Sequence, residues 1–214
     1  MMVKVEALVF NPFQVNTYLI FNSSGDCVII DPACSDAFEN DVLDKFISDN
    51  KLKPVSQVFT HCHIDHIPGM AHIFHKYGLK PLIHPESLKF LLRANEQGKM
   101  FGFTVNEIIE PEEFIHEGET ITIGNCILDI LYTPGHADGH ICLVCRDGKF
   151  VITGDVLFRE SIGRTDFVTG DFDLLSANIR DKLYTLDEDF KVFPGHGSQT
   201  TIGHEKRYNP FVNG

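Results

Sequence analysis

Three histidines and an aspartate fall within six residues in the run Thr60-His61-Cys62-His63-Ile64-Asp65-His66, directly after the apolar stretch Val55-Ser56-Gln57-Val58-Phe59. An apolar run bounded by Pro54 that empties into polar residues reads as a buried strand ending in a loop. Side chains alternate along extended chain, so His61 and His63 point the same way and reach one ion, while Asp65 and His66, where the backbone turns, are free to face a second. Imidazole and carboxylate bind divalent cations such as Zn2+ once the histidine is neutral and the aspartate ionised. Buried without such a partner, each polar group would cost about 1–3 kcal/mol, and a charge more. The cluster has no packing rationale. The chain therefore has to fold so that further ligands reach this loop.

With 214 residues, 43% of them hydrophobic, the chain can bury a sizeable core. Its net charge of -12 repels phosphate backbones, which argues against a nucleic-acid partner. No apolar run approaches the roughly 20 residues that span a bilayer, so no membrane partner is expected. The start, Met1-Met2-Val3-Lys4-Val5-Glu6, lacks the apolar core of a signal peptide, and the cytoplasm is the expected compartment. In that compartment the six cysteines, at 27, 34, 62, 126, 142 and 145, are expected to stay reduced and to pack in the core. Cys142-x-x-Cys145 resembles a zinc knuckle, but in a strand residues three apart face opposite sides. Cys62, between two candidate ligands, should point away from them.

Short β-rich runs at 3–10, 16–22 and 27–31 suggest an antiparallel meander. Residues 36–50 predict a helix capped by Asp36, with Phe38, Val42, Phe46 and Ile47 on its apolar stripe. After the metal cluster come a helix from about Gly69 to Tyr77, a short strand at 81–84 and a helix over 85–97. Residues 98–103 look irregular and apolar, as a flap over a pocket or a loop tucked against the sheet. A second β-rich block covers 120–123, 126–132, 140–146 and 149–153, with a hairpin turn at Arg146-Asp147-Gly148. A helix over 173–186, a strand at Lys191-Val192-Phe193 and a short helix around 201–207 complete the pattern. His72, His75 and His84 read as ordinary surface or core histidines. Four strand ends, at 61–66, 136, 155 and 196, carry His or Asp into loops that can converge on one edge of a sandwich.

The order His-x-His-x-Asp-His at 61–66, Thr-Pro-Gly-His at 133–136, Gly-Asp at 154–155 and Pro-Gly-His-Gly at 194–197 resembles the metallo-β-lactamase superfamily over nearly the whole chain. Gly154-Asp155-Val156-Leu157-Phe158, the run Ile162-Gly163-Arg164-Thr165-Asp166-Phe167 and the ending Thr201 to Phe211 look like the small glyoxalase II-like hydrolases. The resemblance implies an α/β fold, a four-layer αβ/βα sandwich. It implies one domain over 1–214, without the C-terminal helical domain that binds glutathione in full-length glyoxalase II.

By the same resemblance, His61, His63 and His136 hold one metal, Asp65, His66 and His196 hold a second, and Asp155 bridges them. Two divalent ions, Zn2+ first and Fe or Mn as alternatives, would share a hydroxide that attacks a thioester such as S-lactoylglutathione, with Asp65 orienting it. The expected partner is thus a small-molecule acyl-thiol. Arg164 falls at the family's basic substrate contact and either binds a substrate carboxylate or amide, or pairs with Asp166. His140, in a segment that departs from the usual Thr-Pro-Gly-Ser, reads as a strand-start residue rather than an extra ligand. A carboxylate at Asp155 matches poorly to zinc β-lactamases that use Cys near this position, so antibiotic hydrolysis is not expected. Two other readings stay open: an iron persulfide dioxygenase using His61, His136 and Asp155, which shares the Gly-Arg-Thr-Asp-Phe run, and an inactive scaffold.

Overall fold

The computed structural model describes residues 3–105 and 107–213. Strands β1 (Lys4–Phe10), β2 (Val15–Phe21) and β3 (Asp26–Ile30) form the expected antiparallel meander. At the β2–β3 turn, Asn22 Oδ1 accepts from the backbone N–H groups of Ser24 and Asp26, an arrangement that closes tight turns. Helix α1 (Ala37–Asp49) crosses over to β4 (Lys53–Val58), which lies parallel to β3. Helix α2 (Met70–Tyr77) leads to β5 (Pro81–Leu82), parallel to β4, so the first sheet has the order β1-β2-β3-β4-β5.

The second sheet is built from β6 (Thr120–Ile123), β7 (Cys126–Tyr132), β8 (Ile141–Cys145) and β9 (Phe150–Gly154) as antiparallel neighbours. A small hairpin of β10 (Leu157–Phe158) and β11 (Ser161–Ile162) follows, then helix α5 (Phe172–Asn178), which continues as a π-helical turn over Ile179–Leu183. Strand β12 (Lys191–Pro194) joins β9 in parallel, and β13 (Thr200–Thr201) and helix α6 (Ile202–Tyr208) complete the order β13-β12-β9-β8-β7-β6.

The strands' inward residues interdigitate between the two sheets: Tyr18, Ile20, Val28, Ile30 and Val58 from the first meet Leu128, Ile130, Leu143 and Ile152 from the second. Alternation leaves each sheet a second apolar face, and helices cover both. Leu19, Cys27 and Ile29 pack with Leu43 and Ile47 of α1, while Cys142, Val144 and Val151 pack with Leu175, Ile179 and Ile202. The result is the αβ/βα sandwich. As expected, Cys142 and Cys145 face opposite sides of the sheet, and Cys62 points into an apolar cluster with Ile67 and Phe90. Among the described residues no helix is long and apolar enough to cross a membrane.

Two local expectations are corrected. Helix α1 is capped by Asp36, whose Oδ1 accepts from Glu39 N, but it buries Leu43 and Ile47 and leaves Phe38 75% and Val42 37% exposed. Two neighbouring rows with the same i, i+4 spacing compete for the sheet, and the row of compact aliphatic residues fits it. The helix predicted over 85–97 is broken into a 3-10 turn at Pro85–Ser87 and helices α3 (Leu88–Leu92) and α4 (Ala94–Phe101), so residues 98–101 are helical rather than irregular. Backbone contact explains the tight exit from α4: a Cβ on Gly98 would lie 2.2 Å from the Phe103 carbonyl oxygen.

Candidate metal centre

Strands β3, β4 and β9 and the β7–β8 and β12–β13 connections all open onto one edge of the sandwich. Thr60 and Asp31 set the scaffold there. Asp31 leaves β3 in a left-handed conformation, φ +48°, which aims its buried carboxylate at the loop after β4. Asp31 Oδ1 accepts from Thr60 N at 2.7 Å, and Oδ2 accepts from Thr60 Oγ1 at 2.7 Å and from His66 Nδ1 at 3.0 Å. Thr60 has a single hydroxyl proton and gives it to Asp31, so its oxygen accepts from His61 Nδ1 at 3.1 Å. In the neutral ring this leaves Nε2 as the open lone pair of both histidines, the form that binds a cation.

The same device recurs at two other loops. His136 Nδ1 donates to the Arg164 carbonyl at 2.7 Å, and His196 Nδ1 donates to the Phe13 carbonyl at 3.0 Å. Carbonyl partners of this kind fix tautomer and ring orientation in metal-ligating histidines. The Pro-Gly-His-Gly loop is held from the first hairpin: Asn16 Nδ2 donates to the Pro194 and Gly197 carbonyls and Tyr18 Oη to Pro194 O. Gly195 is required by close approach, because a Cβ there would lie 2.2 Å from Asp155 Oδ1.

Two donor sets result. His63 Nδ1 lies 3.1 Å from His61 Nε2 and 2.9 Å from His136 Nε2. Asp65 Oδ2 lies 3.3 Å from His196 Nε2 and 3.8 Å from His66 Nε2. Asp155 stands between them, with Oδ2 3.7 Å from His136 Nε2 and 3.5 Å from His196 Nε2, and Oδ1 3.5 Å from His66 Nε2. The structure thus brings all seven predicted ligands together. Asp31, His61 and His66 also cluster, but Asp31 spends its oxygens on Thr60 and His66 Nδ1.

Protonation divides the sets. Burial, with the neighbouring imidazoles, holds His61 far below the usual histidine range, and burial beside His136 holds His63 at about 3. Burial also lowers His136. Burial works the same way on His66, yet Asp155 and Asp65 outweigh it and raise that ring well above the ordinary value. His196, likewise buried, is raised to about 9 by the Asp155 and Asp65 carboxylates beside its Nε2. Against burial, His66 and His196 hold Asp155 well below the carboxylate range, and the same two rings hold Asp65 below it.

The donor set fits divalent ions. His66 Nε2 and Asp155 Oδ1 are buried without a hydrogen-bond partner, and they point at each other across a gap too long for a hydrogen bond. Buried ionisable atoms left in this way call for a cation.

Two residues at the centre escaped the sequence reading. Asp31 ends a strand as many aspartates do, and nothing local marks it. His140, expected only to start a strand, is fully buried directly before β8. Its Nε2 accepts from Asp155 N at 3.0 Å and its ring stacks on His61 at 4.8 Å. The Arg164 guanidinium is exposed, bonded to both oxygens of Asp166 at 2.9 and 2.7 Å and lying 4.3 Å over the Phe167 ring.

The metallo-beta-lactamase superfamily model matches residues 10–196, a span that holds every one of these side chains. The chain belongs to that superfamily. Hydroxyacylglutathione hydrolase GloC of Haemophilus influenzae is 37% identical over 211 residues, 98% of either chain. Among solved structures, the BLEG-1 B3 metallo-beta-lactamase superposes with a TM-score of 0.89 at 30% identity, covering 99% of this chain and 100% of its own. TTHA1623 in a di-iron-bound form gives 0.87 at 32% identity, covering 97% and 100%. Membership makes the chain a metal-binding hydrolase of this fold.

Proposed function

We propose that the chain is a binuclear, glyoxalase II-like hydrolase of thioesters, with S-lactoylglutathione the first candidate substrate. The observation that carries this reading is the Asp155 carboxylate, which faces both donor sets at once. His61, His63 and His136 would hold one ion, Asp65, His66 and His196 the other, and Asp155 would serve both. Zinc is the proposed metal, and the same donors accept iron or manganese. Bound there, such a pair supplies an acidified water nucleophile and Lewis-acid stabilisation of a developing oxyanion.

The chain's own groups do the rest. Asp65, kept ionised, accepts a hydrogen bond from the attacking water and orients it toward the carbonyl carbon. The departing thiolate needs little help from an acid, since thiols ionise near pH 8.5. Phe158, beside His196, and Phe167, beside His63 and His136, offer an apolar wall for the acyl group. Arg164 sits at the mouth, where a substrate carboxylate would compete with Asp166 for it. A small acyl-thiol suits this site better than a polyanion such as nucleic acid, given the net charge of -12.

The test is elemental analysis of protein purified without added metal, together with assays on thioesters, persulfides and β-lactams. Two ions per chain and thioester turnover that is lost on chelation and restored by metal are expected. One iron per chain with oxygen uptake on a persulfide would transfer the reading to a dioxygenase. Turnover of β-lactams alone would align it with the BLEG-1 relative.

A further inference from the structure

At the pole of the second sheet opposite the metal centre, two thiols meet. Cys126 opens β7 and Cys145 closes β8, and the antiparallel register Asp129↔Val144 sets them diagonally across neighbouring strands. Both side chains point to the inter-sheet face, beside Ile123, Leu128 and Phe150. Their sulfurs lie 3.2 Å apart, and among the described residues no other two thiols are in contact. They are 5% and 1% exposed and sit beside the β6–β7 and β8–β9 turns, where local opening is easiest.

We propose that Cys126 and Cys145 are a modification site, a dithiol that a peroxide-class oxidant closes reversibly to a disulfide stapling β7 to β8. The sulfurs have about 1 Å to travel to reach bonding distance. Either thiol can donate the hydrogen bond between them; the contact lowers Cys145 and raises Cys126, so the pair offers one thiolate and one protonated partner. Burial instead pushes Cys27, Cys34 and Cys142 up to about 12 and Cys62 higher still, which leaves those four inert.

The Cys145 thiolate attacks one peroxide oxygen. The O–O bond breaks, hydroxide leaves, and Cys145 becomes a sulfenic acid. The Cys126 sulfur then attacks the Cys145 sulfur, the S–O bond breaks, and the departing hydroxide takes the Cys126 proton. Two thiols and one peroxide give one disulfide and two waters; the sulfurs lose two electrons and the peroxide gains them.

The site is tested on the full-length, metal-loaded chain treated with hydrogen peroxide, then unfolded and alkylated. Thiol counting should fall from six to four, peptide mapping should join Cys126 to Cys145, and dithiothreitol should restore the count. The cross-link should raise Tm by about 5 °C. Cys126→Ser and Cys145→Ser should each abolish the cross-link. A count that stays at six, a link between other cysteines, or Cys145 carried to sulfinic acid with Cys126 still free would each overturn the proposal. The wild-type measurements decide the matter even if a variant fails to fold.

Discussion

His66 and Asp44 are electrostatic opposites built on a similar plan. His66 is a histidine among three carboxylates: Asp31 at 3.0 Å, Asp155 at 3.5 Å and Asp65 at 3.8 Å. Asp44, on α1, is a carboxylate among three donors, His72 at 3.1 Å, Tyr77 at 3.0 Å and Lys76 at 2.5 Å, all on α2. Asp44 has every oxygen bonded and touches solvent. His66 is fully buried and leaves Nε2 unbonded, as Asp155 leaves Oδ1. Asn40, Gln57 and Ser176 also carry unbonded atoms, but those groups are neutral. Charge density alone does not mark a site. What distinguishes the centre is ionisable groups held in place with a donor atom left open, whereas the α1–α2 network uses its charges to join two helices.

The sharpest way to break this contrast is Asp155→Asn. An amide keeps the volume but halves the acceptors and removes the charge facing both donor sets, so hydrolysis should fall at least about 100-fold. Metal content should drop below two ions per chain, measured by elemental analysis beside the rate. Unchanged turnover would mean that the open Asp155 oxygen has no functional role. A smaller effect is expected from Asp31→Asn. His66 Nδ1 then loses its carboxylate acceptor and its tautomer is no longer fixed, so affinity for the ion at Asp65, His66 and His196 should fall about 10–100-fold. A competition titration against a chelator should show one tight ion where the two-ion reading expects two in the wild type.

The smallest effect belongs to the structural partner. Burial raises the Asp44 carboxyl, but hydrogen bonds from Lys76, His72 and Tyr77 outweigh it and leave it below the ordinary range. A group depressed in the folded state stabilises above its unfolded pKa and loses that contribution as pH falls through the folded value. Asp44→Asn should therefore cost about 1 kcal/mol near neutrality, a modest figure because the network is solvent-screened. The gap from wild type should close as acid protonates the wild-type carboxyl, while metal content stays the same. Denaturant unfolding at neutral and acidic pH checks both halves of that statement.

The ligands were legible in the sequence because each follows a strand and none has a packing reason to be there. Their supports were not. Asp31 acts on Thr60 and His66 from 29 and 35 positions away, and Phe13 acts on His196 through a carbonyl that any residue would supply. His140 sits beside a motif, but its acceptor role appears only once Asp155 N is known to face it. The sheets were readable from alternation and turn residues, whereas α1 offered two rows with one period, and only the shape of the sheet chooses between them.

Phe13 and His196 meet across 183 positions of chain. During synthesis, the cup of His61, His63 and His136 can form while the C-terminal strands are still being made. The other pocket lacks an imidazole until β12 has emerged and docked against the first hairpin. On the two-ion reading, the second donor set is complete only once β12 is in place, and a ribosome-stalled chain ending before β12 should retain one ion at most.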